Sequence, residues 1–297
     1  MTVCIGALCE NRSKIVLVSD NKVSFGDFSA DMAVFKEEVF FPQWITLFAG
    51  NDVEHIPFIL GRTRALLSAV QRRRRAVPTP AHVANAIQKA YEERLEAQIE
   101  AKVLRRYKFS CKSFRDEGKK KCTPEVYTGL CSKIANVKLS LSFLLAGFDA
   151  KNKGHLIVGG GNEAPQDFTA LGFIAIGTGR NAALSSLLFH KERQHIGQSC
   201  SVAQCVFVTY AAKFMAESAT DVGDKSTTGL IVEPSKVKTI LEWWKLREIW
   251  KTEGAPRLPS NLEERITPLI LGGDNVNEKA NEILTLAIRR SESQKSK

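Results

Sequence analysis

The first fifty residues alternate between apolar and small or polar positions, and this alternation is typical of β-strands. Strands are predicted over residues 2–9 and 14–19, with a polar turn between them. A second pair is predicted over 33–41 and 44–49, on either side of Pro42-Gln43. The amino-terminal part of the chain is therefore expected to form two hairpins.

The spacing changes after these strands, where apolar residues begin to recur every three or four positions. This helical spacing predicts one helix over 53–75, which ends in four consecutive arginines. A second helix is predicted over 79–108, because the hydroxyl residue Thr79 before Pro80 is a good helix cap. Residues 109–135 have poor periodicity and many lysines, and we interpret them as an irregular insertion.

Further strands and helices are predicted in the second half of the chain. Strands are predicted over 139–147, 154–158, 169–175 and 228–232, and helices over 180–190, 202–218 and 277–289. The main order is strands, two helices, strands, two helices and a strand, which is not the strict alternation of a doubly wound fold. It predicts an α+β fold, a four-layer αββα sandwich of two mainly antiparallel sheets, each covered by a pair of helices.

Composition places the chain among globular proteins, with 44% hydrophobic and 25% charged residues over 297 positions. No apolar stretch approaches the ~20 residues of a membrane span, so we expect no membrane partner. No basic segment followed by an apolar core marks an export signal at the start. The seven cysteines include no CxxC pair, and their odd number favours a reducing cytoplasm over a disulfide framework.

The net charge of +10 is concentrated in one segment. Residues 72–121 contain fifteen Lys or Arg and six Asp or Glu, a balance of +9 that leaves +1 for the remainder. Such a segment is either a solvated arm or a contact with the acidic surface of a neighbouring subunit or another partner. Because aromatic residues do not interleave regularly with the basic ones, nucleic acid is not predicted as a partner.

Metal and phosphate sites are not predicted. The five histidines show no paired-ligand spacing, and Gly159-Gly160-Gly161 follows a predicted strand without opening a helix. We therefore expect no cofactor and no metal. The sequence contains no GxxxxGK[ST] motif, so any energy-dependent unfolding of a substrate would need a separate ATPase.

Four short motifs occur in order along the chain. Thr2–Gly6 begins a predicted strand with a threonine, and Val16–Asp20 ends the next strand in an aspartate. Lys36 precedes Ala49-Gly50 by thirteen residues, and Gly177-Thr178-Gly179 precedes a predicted helix. Together these motifs resemble those of proteasome-type threonine peptidases, which belong to the N-terminal-nucleophile hydrolase family.

The resemblance implies that Thr2 is the nucleophile, and elementary chemistry is consistent with that role. A threonine hydroxyl needs an adjacent base, and an α-amine with a pKa of ~7.7–8.0 is partly neutral near pH 7. If Met1 is removed, Thr2 therefore carries its own base. Lys36 would favour the developing alkoxide, and Asp20 would hold the ammonium in place. The Gly50 amide would donate to the oxyanion of the tetrahedral intermediate.

The resemblance also implies that Thr178 and Asp221 orient the terminal amine. Two departures from the family pattern lie beside them. Arg180 stands where the family has the second serine of its Gly-Ser-Gly-Ser turn. Gly223 or Asp224 falls where the family's Asp-x-x-Ser element has a serine.

The substrate pocket is implied by the same resemblance, which places Val34, Phe48 and Asp52 beside it. Phe48 is large for a pocket wall and should make the pocket shallow. Asp52 would favour a basic or polar partner at the rim. We therefore expect cleavage after small or basic residues in preference to large aromatic ones.

We expect a cytoplasmic peptidase that cleaves peptides or proteins through an acyl-enzyme on its amino-terminal threonine. The resemblance, over residues 1–75 and 139–233, implies a homo-oligomeric ring or related assembly, similar to bacterial members that lack a pro-segment. Two alternatives remain open: a small-amide hydrolase of the same fold and a non-catalytic scaffold subunit. The hydrolase domain is predicted over 1–235, with a basic insertion at 76–135 and a C-terminal extension over 236–297.

Overall fold

The computed structural model is that of an α+β protein with two antiparallel sheets. It describes residues 2–25, 28–31, 36–161, 163–194, 197–219, 222–224, 227–240, 242–254 and 258–275. The strands are β1 (Val3–Cys9), β2 (Lys14–Asp20), β3 (Lys22–Phe25), β4 (Phe28–Asp31), β5 (Glu37–Phe41), β6 (Trp44–Gly50), β7 (Leu141–Phe148), β8 (Gly154–Gly159), β9 (Gln166–Asp167), β10 (Phe173–Gly177), β11 (Thr227–Glu233), β12 (Lys236–Ile240) and β13 (Ile270–Asn275). The helices are α1 (Ile56–Arg74), α2 (Pro80–Ile99), α3 (Cys111–Lys121), α4 (Pro124–Asn136), α5 (Arg180–Gln194), α6 (Val202–Ala216), α7 (Trp243–Ile249) and α8 (Leu262–Ile266).

The first sheet has the strand order β10-β1-β2-β11-β12-β13, and every neighbouring pair is antiparallel. The second sheet contains β5 to β9 in chain order, and β3 pairs with β4 in a separate two-stranded sheet. Both hairpins predicted from the alternating pattern, β1–β2 and β5–β6, are confirmed. β12 and β13 were not predicted, and they extend the first sheet beyond residue 235.

The two sheets share a hydrophobic cluster, which contains Leu8 and Leu17 from the first sheet and Ile45 and Leu144 from the second. All seven residues of β1 are buried, as expected for a strand covered on both faces. Gly6 allows close approach, because a methyl group there would lie 3.0 Å from Leu156 Cδ2 on β8. The packing of the sheets therefore depends on the small residues of β1 as well as on its apolar ones.

Each sheet also buries apolar side chains against helices. Helices α1 and α2 contribute Leu60, Leu67 and Ile87 to a cluster with β5 to β8. Helices α5 and α6 contribute Leu187 and Phe207 to a cluster with the first sheet, which α7 and α8 also join. Among the described residues, no helix has the length and apolar character needed to cross a membrane.

The prediction of an irregular segment at 109–135 is wrong, because α3 and α4 occupy most of it. Both helices are short, and α3 buries only Phe114 and Gly118, so the lysines obscure its apolar spacing. The capping residues could have predicted both helices, because the Ser110 and Thr123 side chains accept main-chain hydrogen bonds at the two helix starts. The predicted helix over 277–289 lies outside the described residues.

Gly229 on β11 provides a test of how α6 packs on the first sheet. A methyl group at this position would overlap the Tyr210 hydroxyl on α6, and Tyr210 is fully buried. Gly229→Ala should therefore lower the free energy of unfolding by about 1–3 kcal/mol. The measurement is equilibrium unfolding in urea.

Gly61→Ala is the matched control, because Gly61 lies in α1 with open space around its Cα. It should raise the free energy of unfolding by up to about 1 kcal/mol, since alanine is the better helix former. Equal stability of the native protein and Gly229→Ala would contradict the packing of α6 described above.

Candidate active site

Three predicted residues, Thr2, Asp20 and Lys36, form one hydrogen-bonded cluster. The Thr2 hydroxyl donates to Asp20 Oδ1, and Lys36 Nζ donates to Thr2 Oγ1. Lys36 Nζ also lies 2.9 Å from Asp20 Oδ1. The residues are 4%, 0% and 5% exposed, so the cluster is almost completely shielded from water.

The cluster lies where the two sheets meet at one end. Thr2 immediately precedes β1 and Asp20 is the last residue of β2, and the β1–β2 register brings these strand ends together. Lys36 immediately precedes β5 of the second sheet, and its carbonyl accepts a hydrogen bond from the Phe48 amide on β6, at 3.2 Å. Asp20 and Lys36 thus join the two sheets.

Main-chain amides complete the environment of the Asp20 carboxylate. Oδ1 accepts from the Val3 amide at 2.9 Å, and Oδ2 accepts from the Gly223 amide at 3.0 Å. Both oxygens therefore have amide donors in addition to Lys36. Such hydrogen bonds compensate a buried carboxylate for the contacts with water that it has lost.

Gly177-Thr178-Gly179 contacts the main chain of Thr2. The Thr2 nitrogen donates to Thr178 Oγ1 at 3.2 Å, and Thr178 Oγ1 donates to the Thr2 carbonyl at 3.3 Å. The Gly179 amide lies 3.4 Å from the same carbonyl. Gly177 has φ +93°, and a Cβ there would overlap the Thr2 carbonyl, so this turn requires glycine. The structure thus places Thr178 against the main chain of Thr2, and its role in catalysis stays a prediction.

Gly50 is the last residue of β6 and is exposed to solvent. Its φ is +143°, and a Cβ there would overlap the Ser140 carbonyl. Cys4 Sγ on β1 donates to the carbonyl of Phe48 on β6 at 3.4 Å. Phe48 precedes Gly50 by two residues, so this part of β6 lies next to β1. The described contacts do not join Gly50 to Thr2, and its role as an oxyanion donor stays a prediction.

Of the predicted pocket residues, the structure describes Phe48 and Asp52. Phe48 is half-buried and packs against the cluster shared with α1 and α2. The Asp52 carboxylate accepts from the Ser140 amide at 2.6 Å, so one of its oxygens holds the adjoining loop. Val34 and Asp221 lie outside the described residues.

Two residues that contact this site were missed in the sequence. Gly223 contributes a main-chain amide, and no side-chain pattern could indicate that role. Lys213 donates to the Gly223 carbonyl at 2.8 Å and is itself 0% exposed. Lys213 could have been singled out in the sequence, because it interrupts the otherwise apolar second half of α6.

Cys4 is the thiol nearest in sequence to Thr2, and its surroundings keep it protonated. Burial raises its pKa to about 12, and the Asp20 and Glu37 carboxylates act in the same direction, whereas Lys36 opposes them. At pH 8 a thiol with this pKa is ionised in only about one molecule in 10⁴. Cys4 is therefore a weak nucleophile.

Metal chemistry has no visible basis in the part of the chain that the structure describes, where no group of three or more His, Cys, Asp or Glu side chains could hold an ion. The chain was also compared with protein-family models and with curated proteins, and neither comparison gives a match. The geometry of the site offers a hydroxyl beside a buried ammonium and a fixed carboxylate.

The buried ion pair between Asp20 and Lys36 predicts a strong coupling of their contributions to stability. Removing one partner leaves the other charge buried, which typically costs about 3–5 kcal/mol. We expect this loss in the free energy of unfolding for Asp20→Asn and for Lys36→Met. The double variant should lose less than the sum of the two, and urea unfolding of the four proteins measures the difference.

The control for this cycle is the exposed pair between Lys245 and Glu242, at 2.7 Å. Its Lys245→Met variant should lose less than about 1 kcal/mol, because water screens exposed pairs. Simple additivity of Asp20→Asn and Lys36→Met would show that the two side chains do not form the pair.

Proposed function

We propose that this chain is a proteasome-type threonine peptidase that cleaves peptide bonds through an acyl-enzyme on Thr2. The observation that carries the proposal is the hydrogen-bonded cluster of Thr2, Asp20 and Lys36. The resemblance of four sequence motifs supports it independently. The hydrophobic clusters between the sheets and beneath the helices further support a four-layer αββα sandwich.

The nucleophile in this proposal is Thr2 Oγ1, activated by its own α-amine after removal of Met1. The amine accepts the hydroxyl proton, directly or through one water, as Oγ1 attacks the carbonyl carbon of the scissile bond. The Lys36 ammonium lies within hydrogen-bond distance of Oγ1 and lowers the energy of the developing alkoxide. Asp20 balances that charge and fixes its position.

The reaction then passes through a tetrahedral intermediate. Its collapse breaks the carbon–nitrogen bond, and the leaving amine takes the proton that the α-amine had accepted. An ester between Thr2 Oγ1 and the acyl half of the substrate remains. Water, with its proton removed by the same α-amine, hydrolyses this ester and restores the threonine hydroxyl.

Thr178 has a positioning role in the proposed mechanism. Its hydroxyl binds both the nitrogen and the carbonyl of Thr2, which are the two ends of the residue that must stay fixed. The amine can serve as a base only if its lone pair is directed at the proton of Oγ1. Thr178 itself is exposed to solvent.

The cellular setting follows the same proposal and rests on the resemblance alone. The subunit would work in the cytoplasm, in a homo-oligomeric ring that encloses its active sites, with a separate ATPase as a candidate unfolding partner. The basic segment 72–121 offers a surface for assembly contacts. A small-amide hydrolase would use the same chemistry on a different substrate.

Covalent labelling tests the proposed nucleophile. A peptide epoxyketone closes a ring with a hydroxyl and its adjacent α-amine, so it should label the protein once per chain, at Thr2. Thr2→Ala should abolish labelling, and Lys36→Met should slow it by about 10²–10³-fold, the usual effect of removing one group that stabilises an oxyanion. Thr178→Val keeps the shape of the side chain but removes two hydrogen bonds to Thr2. It should slow labelling at least about fivefold, because one neutral hydrogen bond contributes about 1 kcal/mol.

Two controls separate catalysis from folding and from thiol chemistry. Circular dichroism checks that each variant is folded at the temperature of the assay. Cys4→Ala should be labelled like the native protein, because the Cys4 thiol stays protonated. Labelling that depends on a cysteine, or that survives Thr2→Ala, would favour the non-catalytic scaffold subunit.

Substrate preference gives a second test of the proposal. Phe48 should limit the depth of the pocket and Asp52 should favour basic groups at its rim, so a peptide library should be cleaved best after small or basic residues. Phe48→Ala should shift the profile towards larger side chains. Preference for Phe or Tyr in the native protein would contradict the assignment of this pocket.

A further inference from the structure

Lys213 is a fully buried cation in α6, next to the segment that supports Asp20. Its ammonium donates to Glu217 Oε1, one turn further along the chain, and to the Gly223 carbonyl at 2.8 Å. The ring of Trp243 lies 5.7 Å from Nζ. Glu217 is the only carboxylate described in direct contact with Lys213, and its side chain is 14% exposed, whereas that of Lys213 is fully buried.

Gly223 connects this cation to the active site. The carbonyl of Gly223 faces Lys213, and its amide donates to Asp20 Oδ2 at 3.0 Å. One glycine residue therefore has its amide fixed on the active-site carboxylate and its carbonyl fixed on the buried lysine. Residues 222–224 lie in neither a helix nor a strand. The contacts with Asp20 and Lys213 are therefore the described interactions that fix the direction of the Gly223 peptide groups.

Arg247 on α7 contacts the same segment and shares the Glu217 carboxylate with Lys213. Its guanidinium donates to Glu217 Oε1 and to the Asp224 carbonyl, the latter at 3.0 Å. It also lies over the rings of Phe214 and Trp243, with its central carbon 4.9 Å and 5.0 Å from their centroids. The C-terminal extension thus reaches the residue directly after Gly223.

Stability alone does not account for these buried charges. Burial lowers the pKa of Lys213 and raises the pKa of Glu217, so solvent exclusion opposes both charged forms. Apolar residues of similar volume often give equal or greater stability at such positions. Ions and their hydrogen bonds do, however, fix the direction of main-chain groups, which apolar packing cannot do.

We propose that Lys213 is a positioning residue for the active site, and that Arg247 links the C-terminal extension to the same task. Lys213 holds the Gly223 carbonyl so that the Gly223 amide stays directed at Asp20. Asp20 in turn keeps the Lys36 ammonium beside Thr2 Oγ1. This inference rests on the proposed function and assigns a role to part of the chain that lies after residue 235.

The experiment compares four variants of the full chain in their reaction with the peptide epoxyketone. Lys213→Met should lower the maximal labelling rate by about 10–100-fold, the usual effect of misplacing reacting groups, while the concentration for half-maximal rate is unchanged. Arg247→Met should lower the rate by a smaller factor. Arg247→Lys keeps a cation beside Glu217 and should recover most of that loss.

Thr209→Val is the matched control, because Thr209 lies one turn before Lys213 on α6. Among the main-chain groups described, the Thr209 hydroxyl donates only to the Cys205 carbonyl, at 2.6 Å. It should leave the labelling rate unchanged even if it destabilises α6. Native labelling rates in Lys213→Met and in Arg247→Met would overturn the proposal. If Lys213→Met does not fold, the pair of Arg247 variants decides the question.

Amide hydrogen exchange separates this inference from the proposed function. The Gly223 amide should exchange faster in Lys213→Met than in the native protein, under conditions where both are folded. Unchanged exchange would show that Lys213 does not hold Gly223, whatever the activity. Failure of the native protein to label at Thr2, with faster Gly223 exchange in the variant, would instead overturn the peptidase assignment and leave the positioning contact in place.

Discussion

The buried ion pair of Lys36 and Asp20, with the Thr2 hydroxyl bonded to both, is the interaction on which the site depends. Two charges can leave water only when they are paired and when hydrogen bonds satisfy their other atoms. The necessary groups come from separate segments: the start of β1, the end of β2, the residue before β5 and the amide of Gly223. The site can therefore form only when both sheets are in place.

The fold around this pair was largely predictable where the spacing of apolar residues is strong. The alternation before residue 50 gave both hairpins, and the apolar repeats gave α1 and α6. The prediction failed at α3 and α4, whose exposed lysines hide a small core around Phe114 and Leu130. β12 was not predicted, because its alternation of apolar and polar residues covers only five positions.

The site was predictable to the extent that its chemistry resides in side chains. Thr2, Asp20, Lys36 and Thr178 were selected because their motifs resemble those of a known family, and the structure brings them together. The amide of Gly223 was not predicted, because residues 221–224 were compared with the family's Asp-x-x-Ser element by their side chains alone. Lys213 could have been found, since a lone cation in an apolar helix must have a buried partner.

The central claim is that Thr2 acts as an amino-terminal nucleophile. The most direct measurement is mass spectrometry of the amino-terminal peptide, taken from protein quenched in acid during turnover of an activated peptide ester. The account predicts a peptide that begins at Thr2 and carries the acyl group of the ester. A peptide that retains Met1, or an acyl group found on Cys4 instead of Thr2, would contradict it.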